Sequence, residues 1–313
     1  MSYKILISAP YLLPFVEEYR TLLESRGCEI VVAEVEERLN AEQLLPLVGD
    51  IHGTICGDDH WTDTVMAAAP NLKVISKWGT GIDSIDQQAA KARGIAVRNV
   101  PNAFSKPVAD TILGWMLSFA RRLPEQMTLM RAGGWEKIPG HTLGESTLGV
   151  IGVGDVGKAV IRRARAFDMT ILGTDIAEVD ADFVNQYEVK LVSLNELLCQ
   201  SDYVSLNCDL NPTSRDLIRS ETLALMKPSA VLMNAARGPV VKETDLIDAL
   251  QAGKLRGAAL DVFEEEPLAK DSLLRTMDHV ILSAHNSNSS PRAWKNVHRK
   301  SIENMFEVLE ASA

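Results

Sequence analysis

Cysteine is scarce in this sequence: Cys28, Cys56, Cys199 and Cys208 are the four among 313 residues, and none forms a C-x-x-C pair. A disulfide scaffold or a metal site is therefore not expected, whereas a reducing, cytoplasmic setting is. Basic excess is also missing. Lys and Arg number 32 against 42 Asp and Glu, a net charge of −10 with both signs interspersed. That balance speaks against a nucleic-acid partner, which requires a basic face, yet it leaves room for a small anion held by one or two local cations. Long apolar runs are absent, so no membrane span is expected. The opening stretch MSYKILISAP is too short in its apolar run for a signal peptide and has no cleavage-type sequence. Internal repeats and low-complexity linkers do not occur. What remains is the composition of an ordinary soluble enzyme, 46% hydrophobic and 24% charged, on a chain long enough for two cores.

Short β-branched runs alternate with helical stretches along the chain. KILISA, EIVVAEV, GTICG, LKVISKW and IAVRNV are the candidate strands of the first hundred residues. Between them lie segments such as PFVEEYRTLLESRG, which ends on a glycine as a helix stop should. A second series follows: TLGVIGVG, MTILGTD, YEVKLV, DYVSLNC, AVLMNAA, GAALDVF and HVILSAH. These near-continuous apolar runs suit buried parallel strands. Separating the two series is PVADTILGWMLSFARRLPEQMTLMRAGG, where Pro107 suits a first helical turn, Pro124 breaks the helix and Gly133-Gly134 ends it. Its stripe of Ile112, Leu113, Met116, Leu117 and Ala120 is a packing face. The expected fold is α/β, two doubly wound domains, with the last helix returning to the first.

One stretch carries a more specific pattern. TLGVIGVGDVGKAVIRRARAFDMTILGTDI places Gly152, Gly154 and Gly157 between an apolar strand and a helix, with Asp175 closing the next strand. The glycines permit a sharp turn, close approach of the backbone to a pyrophosphate and tight helix–sheet packing. Asp155 and Val156 open the helix, whose N-terminal N–H groups face the phosphates. Asp175, 18 residues after Gly157, suits the ribose hydroxyls. It would repel a 2′-phosphate, and the following Ile176 and Ala177 supply no cation. The expected cofactor is NAD, in preference to NADP.

KWGTGIDSID, VRNVPNAFSKPVAD, GVIGVGDVG, MNAARGPVV, ALDVFEEEP and SAH occur in this order. With them the sequence resembles the D-isomer-specific 2-hydroxyacid dehydrogenases, among them phosphoglycerate dehydrogenase and glyoxylate/hydroxypyruvate reductase, over nearly its whole length. The resemblance implies a Rossmann-type NAD-binding domain over residues 101–285 and a flavodoxin-like substrate domain over residues 1–100 and 286–313. It also implies an NAD-dependent oxidoreductase that interconverts a small D-2-hydroxy acid and its 2-oxo acid, and a homodimer.

By the same resemblance, Arg237 grips the substrate carboxylate, His285 transfers the proton and Glu266 orients the imidazole and supports its charged form. Gly79, Thr80 and Gly81 offer backbone amides to the substrate carboxylate; GTGIDSID also reads as a turn and helix cap with Asp83 as the capping residue. Asp261 resembles the acceptor of the nicotinamide amide, and Asn207 and Ala235 fall beside the cofactor, whereas Asn234 reads as structural and Glu264 and Glu265 as a solvated loop.

Several positions depart from the family pattern. SAHNSNSS lacks the usual proline before the histidine, Asn207 and Asp209 replace a histidine and a proline, and Asp110 replaces a glutamate. Cys56 and Gly57 stand where phosphoglycerate dehydrogenases often have a phosphate-binding arginine and serine, and Asp58 and Asp59 follow. Two carboxylates make a poor phosphate site, although Lys77, Arg98 and Lys106 lie on neighbouring loops. Phosphoglycerate dehydrogenase proper is thus the second reading, and an NAD(H)-sensing corepressor-like protein is the reading from another class.

Overall fold

A strand apolar on both faces has no side to give to water, and the central strands of this chain accordingly lie buried within two parallel sheets whose edge strands are partly exposed. The computed structural model describes residues 2–311. The chain divides into two units, one of Met1–Phe104 with Ser289–Ala313 and the other of Ser105–Asn288.

The first unit holds β1 (Tyr3–Ile7), β2 (Cys28–Val32), β3 (Gly53–Cys56), β4 (Val74–Lys77) and β5 (Ala96–Arg98), in the order β2-β1-β3-β4-β5. Alternate residues serve opposite faces of the sheet. Ile5, Ile7, Ile55 and Val74 pack with Met305, Phe306 and Leu309 of the terminal helix. Leu6, Cys56 and Ile75 pack on the other side with Ile51 and Trp61. The terminal helix, Pro291–Ala311, is further tied by Tyr3 Oη donating to Leu309 O (3.0 Å) and Ser76 Oγ to Ser301 O (2.8 Å).

His298 of that helix is buried among aromatic rings, and its Nδ1 accepts the Trp78 indole N–H at 2.8 Å. Desolvation lowers its pKa from 6.5 to about 4. Between those values the folded chain binds fewer protons here than the unfolded chain, so stability rises with pH and is lost as acid is added through the window. His298→Gln keeps an acceptor for the indole and cannot titrate. We expect it to spare about 2–3 kcal/mol of acid destabilisation, read by urea unfolding near neutrality and near pH 4. Equal pH slopes for the two proteins would remove His298 from this account.

The second unit holds β6 (Thr147–Ile151), β7 (Thr170–Thr174), β8 (Val189–Leu191), β9 (Tyr203–Leu206), β10 (Val231–Asn234), β11 (Gly257–Leu260) and β12 (Val280–Leu282). Their order is β12-β11-β10-β9-β6-β7-β8. All positions of β9, β10 and β11 are buried. The Ser105–Arg121 helix precedes this sheet and stops at Arg122, which takes φ 52°; Pro124 then sits in the first turn of Leu123–Arg131, the break expected from the sequence. Asp110 meets Arg163 of the Asp155–Arg165 helix at 2.6 Å, so the shorter acid still closes an ion pair. No helix among the described residues is long and apolar enough to cross a membrane.

Candidate active site

Parallel register brings the candidates of the second unit to one edge. Leu282, Leu260, Asn234, Leu206, Ile151 and Thr174 form a transverse row at the carboxyl ends of six strands. The loops beyond that row carry His285, Glu266, Arg237, Asn207, the glycine turn and Asp175. In open parallel sheets this edge, at the point where strand order reverses, is where ligands bind. Here the reversal lies between β6 and β9.

Two of the turn's three glycines are required by close packing. Gly152 has φ 88°, and a Cβ there would stand 2.7 Å from Asn207 C and Cys208 N. Asn207 thus lies directly against the turn, its own amide folded back on Ser205 O at 3.0 Å. A Cβ on Gly157 would meet Gly152 O at 2.1 Å, so only glycine lets the helix pack this closely. Gly154 faces open space. Asp155 and Val156 begin the helix there, presenting N–H groups and the positive dipole end. Asp175 Oδ2 accepts the Val153 N–H at 2.6 Å and its Oδ1 that of Ala177 at 2.9 Å. The carboxylate therefore braces the turn it borders. Ile176, beside it, is an exposed apolar side chain, a surface suited to a flat aromatic base. An open glycine, an amide-lined helix start, a carboxylate and an apolar rim together fit NAD(H).

At the other end of the row, Glu266 Oε2 lies 3.1 Å from His285 Nδ1, with both side chains largely buried. Glu266 Oε1 accepts the Phe263 N–H at 3.1 Å, which fixes the carboxylate independently of the ring. In the tautomer with Nδ1–H donating to Glu266, Nε2 carries the ring's lone pair. His285 is held at φ 47°, a left-handed conformation unusual for a side chain of this size.

What holds it is Asp261. This buried residue accepts the Asn286 N–H (2.8 Å), the Ser287 N–H (2.9 Å) and the Ser283 Oγ–H (2.5 Å) on its carboxylate, and the His285 N–H (2.8 Å) on its main-chain oxygen. The sequence resemblance points Asp261 at the nicotinamide amide. In the structure its oxygens gather the turn that carries the histidine. Ser283, absent from the sequence reading, is part of that grip.

Arg237 follows β10 in a turn closed by Asn234, whose Nδ2 donates to Arg237 O (2.9 Å) and whose Oδ1 accepts from Ala236 N (3.0 Å). Ala235, half-buried, lies inside this turn. A Cβ on Gly238 would stand 1.8 Å from Phe263 O, so glycine is what allows the arginine turn to lie on the loop leading to Glu266. Glu264 is more than a solvated residue: it and Glu243 each accept the other's backbone N–H, pinning the start of the Glu243–Gln251 helix.

In the first unit the Gly79 and Thr80 carbonyls accept from Val100 N (2.9 Å) and Asn99 Nδ2 (2.6 Å). The N–H groups of Gly79, Thr80 and Gly81 meet no hydrogen-bond acceptor among the described residues. Gly79 itself is buried, whereas Thr80 is exposed. The helix cap nearby is Asp86, which accepts the Ala89 N–H at 2.9 Å, and not Asp83. Asp59 is fully buried against Ser8 and Leu39 and Asp58 is paired with Lys77, so only one carboxylate of the expected two reaches this surface and Lys77 is already engaged.

Comparison with known proteins gives a consistent result. The family model "D-isomer specific 2-hydroxyacid dehydrogenase, NAD binding domain" matches residues 113–287. The chain is 38% identical over 300 residues to D-3-phosphoglycerate dehydrogenase of Methanocaldococcus jannaschii; the match covers 95% of this chain but spans only 56% of that protein. It is 36% identical over 294 residues to glyoxylate reductase of Thermofilum pendens, covering 90% of this chain and 86% of that one. D-Lactate dehydrogenase from Aquifex aeolicus, solved with NAD and lactic acid, superposes with a TM-score of 0.87 at 26% identity, covering 98% of this chain and 96% of the other.

Proposed function

This chain belongs to the D-isomer specific 2-hydroxyacid dehydrogenases, and from that premise we propose that it interconverts a small D-2-hydroxy acid and its 2-oxo acid using NAD. The observation that carries the reading is the Glu266–His285 pair standing on the same strand-end row as the glycine turn. Bound NADH supplies the hydride for the carbonyl carbon. His285 Nε2 gives the carbonyl oxygen its proton in reduction and takes it back in oxidation, with Glu266 holding the ring. Arg237 binds the substrate carboxylate through two parallel hydrogen bonds. We assign the amides of Gly79, Thr80 and Gly81 to the substrate carboxylate as well. A homodimer belongs to this reading as well. Leu123, Met127 and Met130, spaced on one helical face, and Trp135 after it are exposed apolar side chains that a second copy would cover.

Loss of NADH absorbance with glyoxylate, hydroxypyruvate and phosphohydroxypyruvate tests the proposal. Turnover of at least one is expected, with NADH preferred to NADPH at least about tenfold because the Asp175 carboxylate opposes a 2′-phosphate. NADH binding without turnover of any would instead favour a nucleotide-sensing interaction protein.

A further inference from the structure

The turn that presents His285 is held by a carboxylate with no counter-ion. Asp261 follows β11 directly, is 1% exposed, and forms no ion pair among the described residues. A carboxylate taken out of water is tolerated only where donors replace the lost solvation. Three donors do so. Oδ1 accepts the Ser283 Oγ–H at 2.5 Å and the Asn286 N–H at 2.8 Å, and Oδ2 accepts the Ser287 N–H at 2.9 Å. The two amides come just after His285 in the chain, whereas the serine hydroxyl comes two residues before it. The carboxylate therefore clasps the histidine from both sides.

The link from β12 to His285 has little else to fix it. The Ser283 N–H donates to Leu260 O at 2.9 Å, which carries the β11–β12 ladder one residue past Leu282. Ala284 comes next, with no side-chain bond to offer and an N–H that meets no acceptor among the described residues. His285 then takes φ 47°, a conformation that a histidine keeps only where its surroundings impose it. Its N–H donates to the main-chain oxygen of Asp261, while the Ser283 hydroxyl is the one side-chain donor to the Asp261 carboxylate among the described residues.

We propose that Ser283 is a positioning residue for proton transfer: its hydroxyl holds the Asp261 carboxylate where the amides of residues 286 and 287 reach it, and so aims the imidazole that lies between. The inference rests on the assignment of His285 as the proton-transferring group. Without the hydroxyl, Oδ1 keeps one donor instead of two, and the buried carboxylate draws in water or shifts away from the turn. Glu266 still holds Nδ1, but the backbone that carries the ring is no longer fixed. A proton donor displaced even slightly from its productive geometry loses rate steeply.

The test is the reduction of a 2-oxo acid that the wild type turns over, followed in light and in heavy water. Ser283→Ala lowers kcat by between about 3- and 30-fold and leaves the KM for NADH within about twofold of the wild type. It also raises the solvent isotope effect on kcat, because a poorly aimed donor makes the proton step the slow one. Ser283→Thr keeps the hydroxyl and stays near the wild type in all three quantities. A wild-type kcat in Ser283→Ala overturns the positioning role alone. So does a lower kcat with the isotope effect unmoved, or a loss shared by Ser283→Thr, since either marks packing and not aim. Absence of wild-type turnover with every 2-oxo acid overturns the dehydrogenase reading, and this inference falls with it.

Discussion

Replacing His285 with alanine lowers kcat for 2-oxo acid reduction by between about 10²- and 10⁴-fold, the usual contribution of a positioned proton donor. NADH affinity, followed by fluorescence titration, stays within error of the wild type. The asymmetry follows from position. The imidazole stands beyond β12 with its Nδ1 committed to Glu266 at 3.1 Å, whereas the glycine turn and Asp175 lie beyond β6 and β7 with β9, β10 and β11 between. Removing the ring leaves the turn's steric supports and the Val153–Asp175 bond untouched. The substrate's carbonyl oxygen then takes its proton from water, without a fixed donor, so the loss falls on kcat and kcat/KM together. Wild-type turnover in the variant would place proton transfer on another group.

How much of this was legible in the sequence depends on the range of the forces involved. Apolar runs and glycine spacing are local signals, and all twelve expected strands formed where those runs lie. Gly152 and Gly157 could be assigned their steric roles because each acts within the turn or across one close contact with it, while Gly154 meets nothing within 4 Å. Arg237, Glu266 and His285 were visible only through a family likeness, since no spacing rule links residues on the loops that follow β10, β11 and β12. Contacts between loops were harder still. Nothing near Asp261 in the sequence announces that its carboxylate gathers the turn of residues 283–287, because its partners lie more than twenty residues away. Asp59 failed as a surface charge for the same reason: Ser8 and Leu39 draw it inside, and desolvation raises its pKa. The Asp83/Asp86 error is of another kind. Both aspartates precede a helical segment, but Ile85 is held extended in a parallel bridge with Trp61, so the helix starts only after Asp86.

Arg237→Gln is expected to lower kcat/KM for the 2-oxo acid by between about 10²- and 10⁴-fold, since each of two charge-assisted hydrogen bonds to a carboxylate contributes about 1.5–3 kcal/mol. The amide that replaces the guanidinium is uncharged and reaches only one oxygen. Arg237→Lys keeps the charge without the planar fork and should fall between the two. Steady-state kinetics at varied 2-oxo acid concentration separate the terms, with KM rising where the carboxylate grip is lost and kcat falling where the carbonyl loses its orientation. The backbone around residue 237 argues that the effect stays local. Asn234 closes the turn through Arg237 O and Ala236 N, the arginine side chain adds one bond from Nη1 to Ala236 O (2.8 Å), and Gly238 keeps the turn seated on Phe263. A glutamine there keeps the two Asn234 bonds and loses the one to Ala236 O, so folding stability should fall by no more than about 0.5–1.5 kcal/mol. A variant with unaltered kcat/KM would therefore have a properly placed turn and no grip on substrate, and the carboxylate would have to be held by residues other than this arginine.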